Sequence, residues 1–388
     1  MKNITCFWKN PERLRQYSTG ISLHSHTHCS KERMHFVPAF TQRWRMVQRA
    51  ADRMCQRSEI PVDFSRAYWT PPLSPQQVLH SERKQIENTL GLSSLVSITD
   101  HDSIEAPLRL REANAQDAVP VSLEWSVPFG RTIFHLGIHN LPPEQAPQIA
   151  AALDAFTQKT SKDSVTELLA WLHEIPDVLV VFNHPFWNMY GFEMELHASH
   201  LDAFFRDNID FIHAMELNGM RRREENKKVI PLAERWRRPL ISGGDRHACE
   251  PNANVNLSHA QSFAEFVHEI RYEQRSHLLF LPQYLEPMCL RVIRSVLDTI
   301  RYYPEHPAGT RAWDDRVFHP VGAGENYQSL SALWDAPPGY MRSAFSLFRL
   351  AESASVQWAL KRIYSDTADT ADAIDVYALA GGASGAAL

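Results

Sequence analysis

The sequence has no run of about 18 consecutive apolar residues, so a membrane span is not expected. Its opening segment, MKNITCFWKNPERLRQ, lacks the apolar core of a secretory signal. Cysteine is sparse: the five residues Cys6, Cys29, Cys55, Cys249 and Cys289 are widely spaced and include no CxxC pair. An odd, scattered set without a signal reads as reduced thiols in a cytoplasmic protein, not as a disulfide scaffold. The net charge of -5 provides no overall basic field to draw in nucleic acid, and no internal repeat is evident.

What the chain has is an ordinary globular balance, 44% hydrophobic and 22% charged residues, with ample material for a core. Its 388 residues suit a barrel of about 250 residues with an appendage. The unusual component is histidine, with 19 residues, and their placement carries the functional argument.

Between residues 20 and 248, short apolar runs alternate with segments of helical period. The expected strands are GISLHSH (20–26), SLVSITDH (94–101), VPVSLEWS (119–126), TIFHLGIH (132–139), VLVVFNHP (178–185), FIHAMELN (211–218) and PLISGGD (239–245). Helices are expected at 143–158, 164–175, 200–207 and 223–236. This alternation implies an α/β fold with a largely parallel sheet. Polar residues cluster at strand ends: His24 and His26, His101, Glu124, His184, Asn218 and Asp245. Contributions from so many separate strands favour a barrel over a doubly wound sheet, which would gather its site at one crevice.

Residues 33–90 read as an insertion rich in Arg, aromatics and Pro, a helix followed by an irregular loop. The expected division is a barrel domain at 1–275, a mainly helical region at 276–366 and a disordered tail at 367–388. In the amphipathic segment 343–364, Phe345, Phe348, Leu350 and Trp358 fall near helical spacing, the pattern of a core-facing stripe.

Five clusters carry chemistry. In His24-Ser25-His26-Thr27-His28, alternate residues of a strand share a face, so two imidazoles can grip one ion. Thr99-Asp100-His101-Asp102 follows an apolar run and would alone pass for a helix cap. Glu124 can bridge two ions, with His135 on a neighbouring strand completing the shell of the second ion. Asn183-His184-Pro185 ends a fully apolar strand, where an imidazole is out of place unless that end faces a site. In Gly243-Gly244-Asp245-Arg246-His247 the glycines allow close backbone approach, and Asp245 and His247 lie one pleat apart. Singly, each cluster has a plain structural reading; the ordered conjunction is what argues for metal.

The ordered set HSH, TDHD, LEWS…FH, NHP, ELNG and GGDRH, over about residues 20–248, resembles the PHP family, named for its polymerase and histidinol phosphatase members. It is most similar to the branch of small phosphoesterases in which a bridging Glu and a following His are spaced as Glu124 and His135 are. That resemblance implies a distorted seven-stranded barrel, here with a helical C-terminal extension, holding two or three divalent ions. By position, the first ion would take His24, His26, Glu124 and Asp245, and the second Glu124, His135 and His184. A third would take His101, His247 and a residue of the first loop. There the chain departs from the pattern, which has Asp or His where Lys31, Glu32, Arg33 and Met34 stand. Glu32 is the expected donor, with His28 and His35 nearby.

Nitrogen and oxygen ligands without cysteine suit Mn, Zn or Fe, leaving the metal open. The expected reaction is hydrolysis of a phosphomonoester or short phosphodiester by a metal-activated hydroxide. Arg131, Arg246 and Arg221 to Arg223 are candidates to meet phosphoryl oxygens, and a solvated surface charge is the alternative for each. Asp100 and Asp102, flanking His101, are expected to orient ligands; Asn218 to bond substrate or a ligand; and Trp187 to wall the pocket or join the core. The expected partner is a small phosphorylated substrate, with no membrane and the oligomeric state open. A nucleic-acid-processing phosphodiesterase or exonuclease, using RWRMVQRAADRM as a strand-binding surface, is one alternative. A non-catalytic metal-binding regulatory protein is another.

Overall fold

The computed structural model describes residues 4–34, 63–113, 119–159, 164–188, 194–322, 326–334 and parts of 337–365. The strands are β1 (Ile4–Cys6), β2 (Thr19–Ser22), β3 (Glu32–Arg33), β4 (Tyr68–Trp69) and β5 (Ser93–Val96). They continue with β6 (Val121–Phe129), β7 (Thr132–Leu141), β8 (Leu179–Asn183), β9 (Ala214–Asn218) and β10 (Leu240–Gly243). The last are β11 (Asn254–Ser258), β12 (Leu278–Phe280), β13 (Val317–Pro320) and β14 (Tyr327–Ser329). The principal helices are α1 (Pro75–Gln85), α2 (Glu105–Ala113), α3 (Ala146–Lys159) and α4 (Val165–Glu174). They are followed by α5 (Met194–Asn208), α6 (Arg223–Trp236), α7 (Phe263–Arg271) and α8 (Met288–Ile300).

Each expected strand forms over at least part of its apolar run. β8 illustrates why: Val180 and Phe182 join one buried cluster, Leu179 and Val181 another. A strand covered on both faces has no polar side, which is what a continuous apolar run encodes. Helices cover the outer face with residues one and two turns apart, as Ile149, Leu153 and Phe156 of α3 do. α4 starts at a capping box in which Ser164 and Glu167 each bond the other's backbone N–H.

The ladders order the strands as β1-β12-β11-β2-β5, β10-β9-β8-β7-β6 and β14-β13-β4-β3. The expected continuous seven-stranded barrel is therefore met in part, as a mixed α/β fold. Of the seven expected strands, β2 and β5 lie in one sheet and β6 to β10 in another. At one rim, backbone hydrogen bonds join the two sheets: Asp245 N to His24 O (2.7 Å), His26 N to Arg246 O (2.8 Å) and Asp102 N to Glu124 O (2.8 Å). Those bonds run through the histidine- and carboxylate-bearing segments themselves.

The expectation of a largely parallel sheet needs correction at β7, which is antiparallel to both β6 and β8. Phe129 pairs with Thr132, leaving only Gly130 and Arg131 for the turn, with Gly130 at φ +60°. A parallel return needs a crossover of a dozen or more residues, so this connection can only make a hairpin.

The division at 275 also needs correction. β12 lies beyond it yet pairs with β1 and β11, so that boundary would cut a sheet. Nor is the following region only helical, since β13 pairs with β4 and β14. Leu350 and Trp358, expected in a core stripe, are 62% and 64% exposed. Phe345, Phe348, the tail at 367–388 and the helix expected at 43–54 lie outside the described residues. Among the described residues no helix is long and apolar enough to cross a membrane.

Beneath the rim, Arg246 donates to Glu82 Oε1 of α1 at 2.5 Å and to Glu250 O at 2.6 Å, and both side chains are buried. Ser22 donates to the other Glu82 oxygen at 2.7 Å. Removing one partner of such a pair leaves an uncompensated buried charge. Glu82→Ala is therefore expected to lower stability by about 3–5 kcal/mol, read by denaturant unfolding of the full chain.

Candidate metal centre

Glu124 stands on β6, fully buried, with its carboxylate at the joined rim. Its Oε2 faces His24 Nε2 (3.1 Å), His101 Nδ1 (3.4 Å) and His26 Nε2 (3.5 Å). Its Oε1 faces His184 Nε2 (3.2 Å) and His135 Nδ1 (3.5 Å), and accepts from Asn183 Nδ2 at 2.9 Å. Asp245 Oδ1 lies 3.6 Å from His26 Nε2 and 3.7 Å from His24 Nε2. The reversed direction of β7 explains His135: it sits near the start of its strand, beside Asn183 at the end of β8, and so reaches the same rim.

A second focus adjoins the first. Glu32 Oε2 is 3.3 Å from both His101 Nε2 and His247 Nε2, while its Oε1 accepts from Ser30 and lies 3.6 Å from His26 Nδ1. Of the alternatives at this position, His28 turns towards Arg109 (3.4 Å), and His35 lies outside the described residues. His101, with one ring nitrogen towards each focus, links the two.

The backbone is strained where the site is built. His24, Asp102, His184 and Asp245 adopt positive φ of 66°, 51°, 28° and 51°. Such conformations cost on the order of 1–3 kcal/mol each and persist only where the surroundings impose them. They also correct the simple picture of histidines alternating along a pleat: β2 ends at Ser22, and the segment beyond it turns both His24 and His26 onto Glu124.

Glu216 on β9 was missed from the sequence. Its Oε1 accepts from His24 Nδ1 at 2.5 Å, which leaves His24 Nε2 facing the centre; its Oε2 accepts from His184 N (2.8 Å). The signal was available in ELNG, because Glu216 shares a strand face with Asn218. Any Cβ at Gly243 would overlap the Glu216 carboxylate, which gives one glycine of GGDRH its physical reason.

Other residues fall differently from expectation. Arg246 pairs with Glu82 and is not among the cavity-lining residues, so it anchors the Asp245–His247 segment. Asn218 donates to Glu216 Oε2 (3.0 Å) and Asp245 Oδ2 (3.2 Å), holding carboxylates in place of substrate. Asp100 is fully buried and accepts from the Thr27 N–H and hydroxyl, pinning the HSH segment. Arg131 is exposed in its turn and Arg223 bonds the Tyr284 carbonyl; neither lines the cavity. Asp102, Trp187 and Arg221 do line it. Arg221 pairs with Asp245 Oδ2 at 2.9 Å and lies over the Trp187 ring at 4.7 Å.

Whether these residues fit metal ions is tested by their unused atoms. His24 Nε2, His26 Nε2, His101 Nδ1 and Glu124 Oε2 are buried without a hydrogen-bond partner. Buried polar atoms are rarely left so, and here His24 and His26 on one side and His101 on another approach Glu124 at ligand-like spacing. Within such spacing the structure brings together His24, His26 and Glu124; His101, Glu124 and His135; and His26, Glu32, His101 and His247. The donor set fits divalent ions.

Protons occupy this role when ions do not. Burial opposes charge on His101, but Glu32 and Glu124 outweigh it and raise its pKa to about 10. His24 is likewise raised well above its ordinary value, burial being overcome by Glu124, Glu216 and Asp245. Burial dominates at His26 and His135, lowering them to about 4 and about 3. Burial pushes the Glu124 carboxyl up, yet His24 and His101 hold it well below the usual range.

Because His101 carries a proton below about pH 10, a metal must displace it. Metal affinity is thus expected to rise between about pH 6 and 9, with proton release measurable by calorimetry in buffers of different ionisation enthalpy. Glu216→Gln is expected to weaken metal binding by about 10–100-fold, read by competition with a chromophoric chelator.

No protein-family profile matches the chain, and no curated protein matches it in sequence. Solved structures similar to it include an amidohydrolase from Chromobacterium violaceum, at 16% identity and TM-score 0.35, covering 58% of this chain and 87% of that one. PsfC from Pseudomonas syringae matches at 12% identity and TM-score 0.40, covering 72% of this chain and 96% of its own. A protein designated a metal-dependent phosphoesterase from Bifidobacterium adolescentis matches at 17% identity and TM-score 0.34, covering 52% and 91%. A two-domain protein from Bacteroides vulgatus, described as containing a PHP-like metal-dependent phosphoesterase, matches at 12% identity and TM-score 0.37, covering 55% and 61%.

Proposed function

We propose that this protein is a divalent-metal-dependent hydrolase of small phosphate esters. The observation that carries the reading is the convergence of unpartnered, buried imidazole and carboxylate atoms of His24, His26, His101 and Glu124 beside an open cavity. His24, His26, Glu124 and Asp245 would hold one ion, and Glu124, His135 and His184 a second. Glu32, His101 and His247 would hold a third. Mn, Zn and Fe all suit this nitrogen and oxygen set. Bound ions would supply Lewis acidity, activating water and offsetting charge on the phosphoryl oxygens.

The chain's own groups extend that chemistry. Arg221 reaches the cavity beside Asp245 and would meet phosphoryl oxygens, while Lys31 and Arg33 place positive charge at the mouth. Asp102 lines the cavity and burial raises its pKa, so it is the group placed to pass a proton to a departing alkoxide. The cavity volume of about 330 Å³ suits a small molecule. These features support a small phosphorylated substrate over a polynucleotide.

Protein reloaded with Mn or Zn is expected to hydrolyse a generic aryl phosphate, and His26→Ala to reduce the rate to background. Full turnover after exhaustive chelation would sink the proposal. Glu32→Ala is expected to lower the bound-metal stoichiometry by one ion, counted by elemental analysis.

A further inference from the structure

The cavity beside the metal-binding side chains is also lined by α8, which no motif singled out. Its residues Val292, Ser295, Val296 and Thr299 line the cavity and recur at helical spacing, forming one face. Leu290, Leu297 and Ile300 are buried on other sides of the helix. The charged residues of α8 are turned elsewhere: Arg291 and Arg294 bond Glu250, and Asp298 accepts from Cys249 N. The face towards the cavity is therefore uncharged, and Val292 is 44% exposed upon it.

This wall is held firmly against the rim. Arg291, itself buried, bonds Gly219 O at 2.5 Å and Glu250 Oε1 at 3.1 Å, joining α8 to the segments that follow β9 and β10. Two indoles flank the wall. Trp69 lies 5.9 Å from the His247 ring, and Trp187 lies 5.1 Å from the His135 ring. Trp69 is set by β4, which pairs with β3 on one side and β13 on the other. A phosphoryl group beside Glu124 and Asp245 would leave the rest of its ester lying against Val292, Val296 and an indole, with the hydroxyls of Ser295 and Thr299 as the polar groups α8 offers.

We propose that the α8 face and its flanking tryptophans select esters whose alcohol portion is apolar, aryl in preference to polyol. A hydrated polyol would forfeit water against the valines and gain little in return, whereas a flat apolar group would displace poorly bonded water. The inference rests on the phosphoesterase reading for its reaction, but not for its binding contacts.

The test compares phenyl phosphate with glycerol 2-phosphate as substrates of the metal-loaded full chain, and phenylphosphonate with methylphosphonate as ligands read by tryptophan fluorescence. Wild type is expected to favour phenyl over glycerol phosphate in kcat/KM by at least about tenfold. Val292→Asp is expected to collapse that preference, and Val292→Ala to reduce it. Both changes fall at an exposed position that folding tolerates. Equal kcat/KM values in wild type, or a variant that slows both esters with their ratio preserved, would overturn the assignment. If neither ester is hydrolysed, the catalytic reading falls. A Val292-dependent preference for phenylphosphonate would then still support the wall, and its absence would overturn the wall as well.

Discussion

The Glu124 carboxylate meets imidazoles on both of its oxygens, and the surrounding structure is arranged to keep it there. A fully buried carboxylate is costly unless positive charge reaches it. Rings from the segments that follow β2, β5 and β8 and from β7 face it, so protons on those rings or cations between them must supply that charge. Around this contact the polar groups act as braces: Glu216 fixes His24, Asn183 donates to Glu124, and Asp100 pins Thr27. The left-handed backbone at His24, His184 and Asp245 is the conformational cost of turning these residues inward. Interfering with a brace should therefore disturb the ions more than the fold.

The same rim that gathers the ligands also joins the two principal sheets, so structure and chemistry share one set of residues. Asp245 donates its N–H to His24 O and offers its carboxylate to the His24 and His26 rings. Arg246, between Asp245 and His247, reaches down to Glu82 and secures the whole segment to α1. Alternate residues thus divide the work, carboxylate and imidazole towards the cavity and guanidinium towards the core.

The part of the chain beyond 275 contributes to the site without contributing a ligand. β13 supports β4, β4 supports β3, and Glu32 reaches the second focus from β3. α8 lines the cavity with an uncharged face. The candidate metal ligands thus fall in clusters between His24 and His247, while the uncharged stretch of cavity wall comes from a helix later in the sequence.

The sequence by itself determined the seven strands β2, β5 and β6 to β10, because runs such as VLVVF can be satisfied only by burial on both faces. It also marked the histidine and carboxylate clusters, since such residues at the ends of apolar strands have little structural reason to be there. Even the substitution of Glu32 for an expected Asp or His was legible, as a carboxylate in the right loop that reaches His101 and His247. Tertiary structure decided what local pattern cannot encode: the pairing of Arg246 with Glu82 and the bracing role of Glu216. Each depends on a partner far away in the chain, and a side chain's chemistry names what it can bond, while only packing selects which bond it makes. The clusters therefore announced a set of candidate metal ligands, and the fold chose which of their members face one another.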